Sequence, residues 1–95
     1  MNIGELIKEA RLKKGLKQIK VANYLEVDLS TLSKIERGTR TLQPKYFKKL
    51  SKILGIPESQ IQSIFLTDSI VKQYGDNPYI LNALKRASAI IKQIQ

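Results

Sequence analysis

Almost every side chain in this sequence that could do chemistry is a cation. The 95 residues carry 17 Lys and Arg against 8 Asp and Glu, a formal charge of +9, with neither Cys nor His. Disulfides, Cys/His zinc sites, thiol nucleophiles and imidazole general bases are excluded, and most catalytic chemistry goes with them. What remains is the recognition of anions by ammonium and guanidinium groups, so no enzyme activity, cofactor or metal is expected. The cations are concentrated: residues 1–56 hold 13 bases and 5 acids, net +8, whereas residues 57–95 hold 4 and 3, net +1. Excess Lys also serves solubility, but a half this basic should meet a polyanion. Which of the two applies depends on the elements that carry the charges.

A chain of this length makes one small domain, and at 42% hydrophobic it is too apolar for a disordered basic tail. No apolar run approaches the roughly 18 residues of a membrane span, and Met1 to Gly4 does not begin a signal peptide, so a soluble, cytoplasmic protein without membrane contact is expected. Apolar residues recur at helical intervals throughout, which predicts an all-α fold. Ile3, Leu6, Ile7 and Ala10 stripe a first helix over about residues 2–14, closed by Gly15. Val21, Ala22 and Leu25 mark a short second helix from Gln18. Asp28 or Ser30 can cap a third, in which Leu32 and Ile35 point inward and which Gly38 ends. A polar loop, Thr39 to Gln43, leads to Pro44 in the first turn of a fourth helix, with Phe47, Leu50 and Leu54 buried and a stop at Gly55. Pro57 and Glu58 begin a short fifth helix using Ile61, Ile64 and Phe65. A break is expected at Thr67 and Asp68, then a turn or two of helix to Tyr74, then a last helix capped by Asn77 and begun by Pro78, reaching about Ile94.

The second and third helices have the lengths and spacing of a helix-turn-helix. Counted from Gln18, the fifth position is Ala22, where only a small side chain lets the helices approach, and Leu32 and Ile35 fall where the second helix of the pair buries its inner face. With Leu16-Lys17-Gln18, the run Leu32-Ser33-Lys34-Ile35-Glu36-Arg37-Gly38, and Leu50 to Gly55 in order and spacing, residues 3–66 resemble the XRE-type regulators of the phage repressor and Cro class. The resemblance implies a five-helix, lambda-repressor-like DNA-binding domain over residues 1–66, with residues 67–95 as a helical extension. It also implies that Arg11 and Glu36 form a buried structural ion pair, since either charge alone in a core carries a desolvation penalty of several kcal/mol. Two residues depart from the family. Glu26 stands where a left-handed Gly is usual, and Lys17 replaces the usual Ser or Thr cap.

By the same resemblance, the third helix enters the major groove of double-stranded DNA. Leu29, Ser30, Ser33 and Lys34 are the expected base contacts: Lys34 donating to guanine, Ser30 donating or accepting, Leu29 against a thymine methyl. Gln18 is implied as a phosphate contact, as are Arg40, Gln43 and Lys45 on the other side of the helix, with Lys17, Lys20, Arg37 and Thr39 as additions.

The final helix is too apolar for one solvated face. Tyr79, Ile80, Leu84, Ala87, Ile91 and Ile94 lie along it, and its charges are Lys85, Arg86 and Lys92. It could pack on the preceding helices, pair with a second copy, or dock another protein. The expected function is a dimeric, sequence-specific transcriptional regulator of bacterial or phage origin, a repressor at a short palindromic operator. Two alternatives remain: an antitoxin-like protein that neutralises a partner through its C-terminal helices, and a DNA-binding accessory subunit of a restriction-modification system.

Overall fold

The computed structural model describes all 95 residues, and every regular element in it is helical. In chain order these are α1 (Ile3–Lys13), α2 (Gln18–Leu25), α3 (Leu29–Arg37), a single 3₁₀ turn (Pro44–Tyr46), α4 (Phe47–Leu54), α5 (Glu58–Tyr74) and α6 (Ile80–Ile94). Each of the helices α1 to α5 contributes to one core of 14 apolar side chains, with Val21, Ala22, Leu32, Leu50 and Ile61 fully enclosed. Phe47 and Phe65 meet edge to face, their ring centroids 5.2 Å apart, and this contact ties α4 to α5.

Local sequence accounts for the ends of the helices. Asn2 caps α1 by accepting from the Glu5 N–H, and Asp28 rather than Ser30 caps α3 by accepting from the Thr31 N–H at 2.7 Å. Gly38 and Gly55 close α3 and α4 in the left-handed conformation. Gly4 has a different task. A Cβ there would stand 2.5 Å from the Ile35 carbonyl oxygen and 2.6 Å from that of Glu36, so its bare Cα lets α1 press directly on the end of α3.

Three expectations are corrected. The loop from Thr39 to Gln43 is not wholly polar in role, because Leu42 turns inward and is 1% exposed, stopping the core between α3 and α4. The break expected at Thr67 and Asp68 does not occur, and α5 runs through the boundary placed after residue 66. Its polar residues are satisfied without breaking the helix: Thr67 Oγ1 donates to the Ser63 carbonyl, Ser69 Oγ to that of Phe65, and the Asp68 carboxylate accepts from the Ile3 N–H at 2.6 Å. Asp68 thus satisfies one of the unpaired amides at the start of α1. Finally, α6 begins at Ile80, because Asn77 accepts from the Tyr79 N–H and holds Pro78 in a turn outside the helix.

No residue of α6 is buried. The helix projects from the core, and the radius of gyration is 15.3 Å where a compact domain of this length has about 12 Å.

Candidate nucleic-acid interface

The α2–α3 pair is built around Ala22, whose side chain is fully buried where the two helices approach. The chain leaves α2 through Glu26 at φ 61°, ψ 39°, with the Val27 N–H bonded to the Ala22 carbonyl at 3.0 Å. Glu26 therefore adopts the left-handed turn for which Gly is better suited. At the other end of α2, Lys17 makes no side-chain cap, so the first amides of the helix have no side-chain acceptor. Such a helix start favours an anion in front of it.

Beneath this pair lies a polar network. Arg11 Nε and Nη2 donate to the two oxygens of Glu36 at 2.8 and 3.0 Å, and Arg11 Nη1 donates to the Leu16 carbonyl at 2.9 Å. Gln18 Nε2 completes it with a 3.0 Å bond to Glu36 Oε1. The Glu36 and Arg11 side chains are 2% and 9% exposed, and a forked pair in which each guanidinium nitrogen donates one hydrogen bond is the arrangement in which two buried charges are tolerated. The sequence spacing did not reveal the Gln18 bond. It holds the Gln18 amide at the mouth of α2 with one hydrogen engaged and the other free.

Facing away from the network, α3 presents its outer surface. At about 100° per residue, Ser30, Lys34 and Arg37 point opposite the buried Leu32 and Ile35. Leu29 and Ser33 lie on one flank, Leu29 exposed and Ser33 half-buried, and Ser33 accepts a 3.0 Å bond from Arg37 Nη1. Thr31 lies on the other flank, where Arg40 Nη1 reaches its hydroxyl at 3.5 Å. Of the four residues expected to read bases, the structure puts Ser30 and Lys34 on the outermost line and Leu29 and Ser33 beside it. Arg37, expected on phosphate, shares that outermost line.

The Asp28 carboxyl at the start of α3 is held below its ordinary range by the hydroxyl and then the N–H of Thr31, with Arg40 and Lys34 adding attraction. Thr39 donates its hydroxyl to the Lys34 carbonyl at 3.2 Å and its N–H to the same oxygen at 2.9 Å, so it closes α3. Gln43 and Lys45 are exposed at the 3₁₀ turn, with the Lys45 ammonium 5.2 Å from the centre of the Tyr46 ring. Lys17 and Lys20 are exposed along the outer edge of α2. The outer side of α3 thus carries Lys34 and Arg37, with exposed Lys17, Lys20, Arg40 and Lys45 on the flanking segments and Asp28 at the helix start.

No group of acidic residues is arranged to hold a metal ion, and no helix is long and apolar enough to cross a membrane. A search of curated proteins finds no match to the chain. The helix-turn-helix family model matches residues 7–61, more than half of the sequence and the whole span from the middle of α1 to Ile61. That match spans α2, the turn and α3, and the chain belongs to the XRE-type helix-turn-helix family of DNA-binding regulators.

Proposed function

We propose that the protein is a sequence-specific repressor that binds a short palindromic operator as a dimer and acts without catalysis in the cytoplasm of a bacterium. The observation that carries this reading is the outer line of α3, where Lys34 stands fully outward between Ser30 and Arg37 with further cations on both sides. In the major groove such a helix brings the Lys34 ammonium to guanine O6 and N7, with the Ser30 hydroxyl one turn nearer the helix start. Leu29 and Ser33 on the flank meet the neighbouring base edges. Gln18, with its free amide hydrogen, and the open amides behind Lys17 take one phosphate, while Lys20, Arg37, Thr39, Arg40, Gln43 and Lys45 hold the backbone on either side of the groove. Two copies occupying half-sites about one helical turn apart cover the operator, and repression follows from excluding other proteins from it.

Selection of bound DNA from a random library, followed by titration of variants, tests this. Lys34→Ala is expected to weaken the selected site by about 1–3 kcal/mol and to relax preference at one base position per half-site. Lys45→Ala is expected to weaken selected and random DNA alike and to reduce the salt slope by about one unit. Equal losses on all sequences for Lys34→Ala make it a phosphate contact and remove the assignment of base reading to it.

A further inference from the structure

Two apolar surfaces near the C-terminus are left unused by the core. The first is on α5. Ile70 follows the buried Ile61 by nine residues, a rotation of about 180°, and Leu66 and Tyr74 flank it one turn to either side. This helix is apolar on opposite sides: Ile61, Ile64 and Phe65 face the core, whereas Leu66 and Tyr74 are 61% and 49% exposed. The second surface is on α6, where Ile80, Leu84, Ala87, Ile91 and Ile94 recur at alternating intervals of four and three residues. That is a heptad seam, whose repeat of about 3.5 residues keeps one line of side chains against a partner helix. The positions flanking the seam are Leu81, Ala83, Ser88 and Ile90, all uncharged, and Lys85, Arg86 and Lys92 are turned away from it. Between the two helices runs an apolar groove of about 530 Å³, with Ile70, Val71, Leu81 and Leu84 in its walls.

We propose that a second copy of this chain covers these surfaces, the last turns of α5 and the whole of α6 from two copies closing into a four-helix bundle about a two-fold axis. The inference specifies the partner and the surface of the dimer proposed above, and it rests on that reading only for its consequence at the operator. Three features favour a second copy. A stable interface takes about 20–30 residues a side, and the stretch from Leu66 to Ile94 provides a segment of that length with no residue buried in the single chain. A two-fold interface must be self-complementary, and this one chain carries both an apolar groove and an apolar ridge, Leu84 to Ile91, to fill it. Charge selects the same end of the molecule: two copies of a +9 protein approach with least repulsion through the segment of net +1, and a seam without charged flanks offers nothing to an acidic partner. Two heptads are too short to pair alone, which is why the outer face of α5 belongs to the bundle. Because α5 is one unbroken helix pinned to α1 by Asp68, such a bundle would fix the separation of the two α3 helices.

Sedimentation equilibrium of the full chain, without DNA, is the test. Wild type is expected as a dimer at micromolar concentration, and Ile91→Asp is expected to raise the dimer Kd about 100-fold or more while leaving the far-UV circular dichroism of the core unchanged, since Ile91 is exposed and lies outside the core of the single chain. Ile70→Asp, on the other helix, should weaken the dimer in the same direction, and Lys85→Ala should leave it intact. An apolar bundle should also survive about 1 M salt, where DNA binding is lost. A wild-type chain that remains monomeric at about 100 μM, as it would if α6 served a different protein, overturns the inference. So does a dimer indifferent to Ile91→Asp and Ile70→Asp together. A salt-resistant dimer that binds no DNA would support this inference and remove the operator reading instead.

Discussion

The first 65 residues and the last 30 are both helical and both rich in aliphatic side chains, but they use them differently. Every buried residue lies at or before Ile61, and beyond Leu66 the large apolar side chains of α5 and α6 are mostly exposed. In the first region five helices cross around one point, so each apolar stripe meets several others. In the second, two helices meet only at a turn, and a stripe on one has a single neighbour. Left-handed backbone follows the same division. All the residues with positive φ, Gly15, Glu26, Gly38 and Gly55, fall in the first region, where sharp turns bring helices back onto the core, and Glu26 alone adopts it with a Cβ. An apolar pattern at helical spacing thus establishes that a helix needs a partner, and topology decides whether the partner is in the same chain.

Removing one member of the buried pair should produce the largest effect. Arg11→Ala leaves the Glu36 carboxylate, 2% exposed, with only Gln18 for a partner, and an uncompensated buried charge is expected to reduce stability by about 3–5 kcal/mol. That is a large share of the roughly 5–15 kcal/mol available to a small domain. Ile94→Ser, at a site 77% exposed, should leave the core's own stability unchanged. Urea titrations of the two variants at a concentration where both are monomeric make the comparison directly. A loss under about 1 kcal/mol for Arg11→Ala would mean that water reaches Glu36 and that the first region is less closed than its burial indicates.

A single methyl group should also be felt in the first region. Gly4→Ala puts a Cβ 2.5–2.6 Å from two backbone carbonyl oxygens at the end of α3, neither of which can swing aside as a side chain would. Overpacking of this kind is expected to lower stability by about 1–3 kcal/mol and, by tilting α3, to weaken DNA binding beyond the loss of folded protein. Circular dichroism melts together with titration on selected DNA would measure both. An unchanged melt would show that α1 can slide on α3 without penalty.

Much of this was legible in the sequence where a residue type has one physical use. Asp28, Gly38 and Gly55 mark helix ends, Ala22 marks the crossing of α2 and α3, and the stripes of α1 to α4 point to the core that forms. The misreadings came from residues whose use depends on distant partners. Thr67 and Asp68 read as a break because short polar side chains favour turns, and nothing local shows that Asp68 would find the Ile3 N–H, 65 residues away in sequence. Leu42 lay among polar neighbours, so no periodicity exposed it. Gly4 carries no local signal of its role, because the α3 carbonyls that exclude a side chain are known only once the helices are placed. At the interface, Lys34 and Ser30 follow from helical phase, whereas the Gln18 bond to Glu36 and the reach of Arg40 to Thr31 require the fold.

The smallest expected effect concerns strain in the turn of the helix-turn-helix. Glu26 holds φ at 61° although it has a Cβ, a conformation that disfavours a non-Gly residue by roughly 1–2 kcal/mol. Its carboxylate stands 3.6 Å from the Lys49 ammonium, but the two side chains are 82% and 46% exposed, and such a pair contributes about 0–1 kcal/mol at most. Glu26→Gly removes the steric penalty and the weak ion pair together while giving the unfolded chain more freedom, a loss of roughly 0.5–1 kcal/mol. These contributions nearly cancel, leaving a balance centred on a gain of a few tenths of a kcal/mol and no larger than about 1.5 kcal/mol, measured by urea titration, with m unchanged. Glu26→Ala keeps the Cβ and removes only the carboxylate, so the difference between the two variants isolates the backbone contribution. If Glu26→Gly instead loses about 1 kcal/mol or more, the strain is not what the surrounding core supports, and Glu26 acts through the contact with α4.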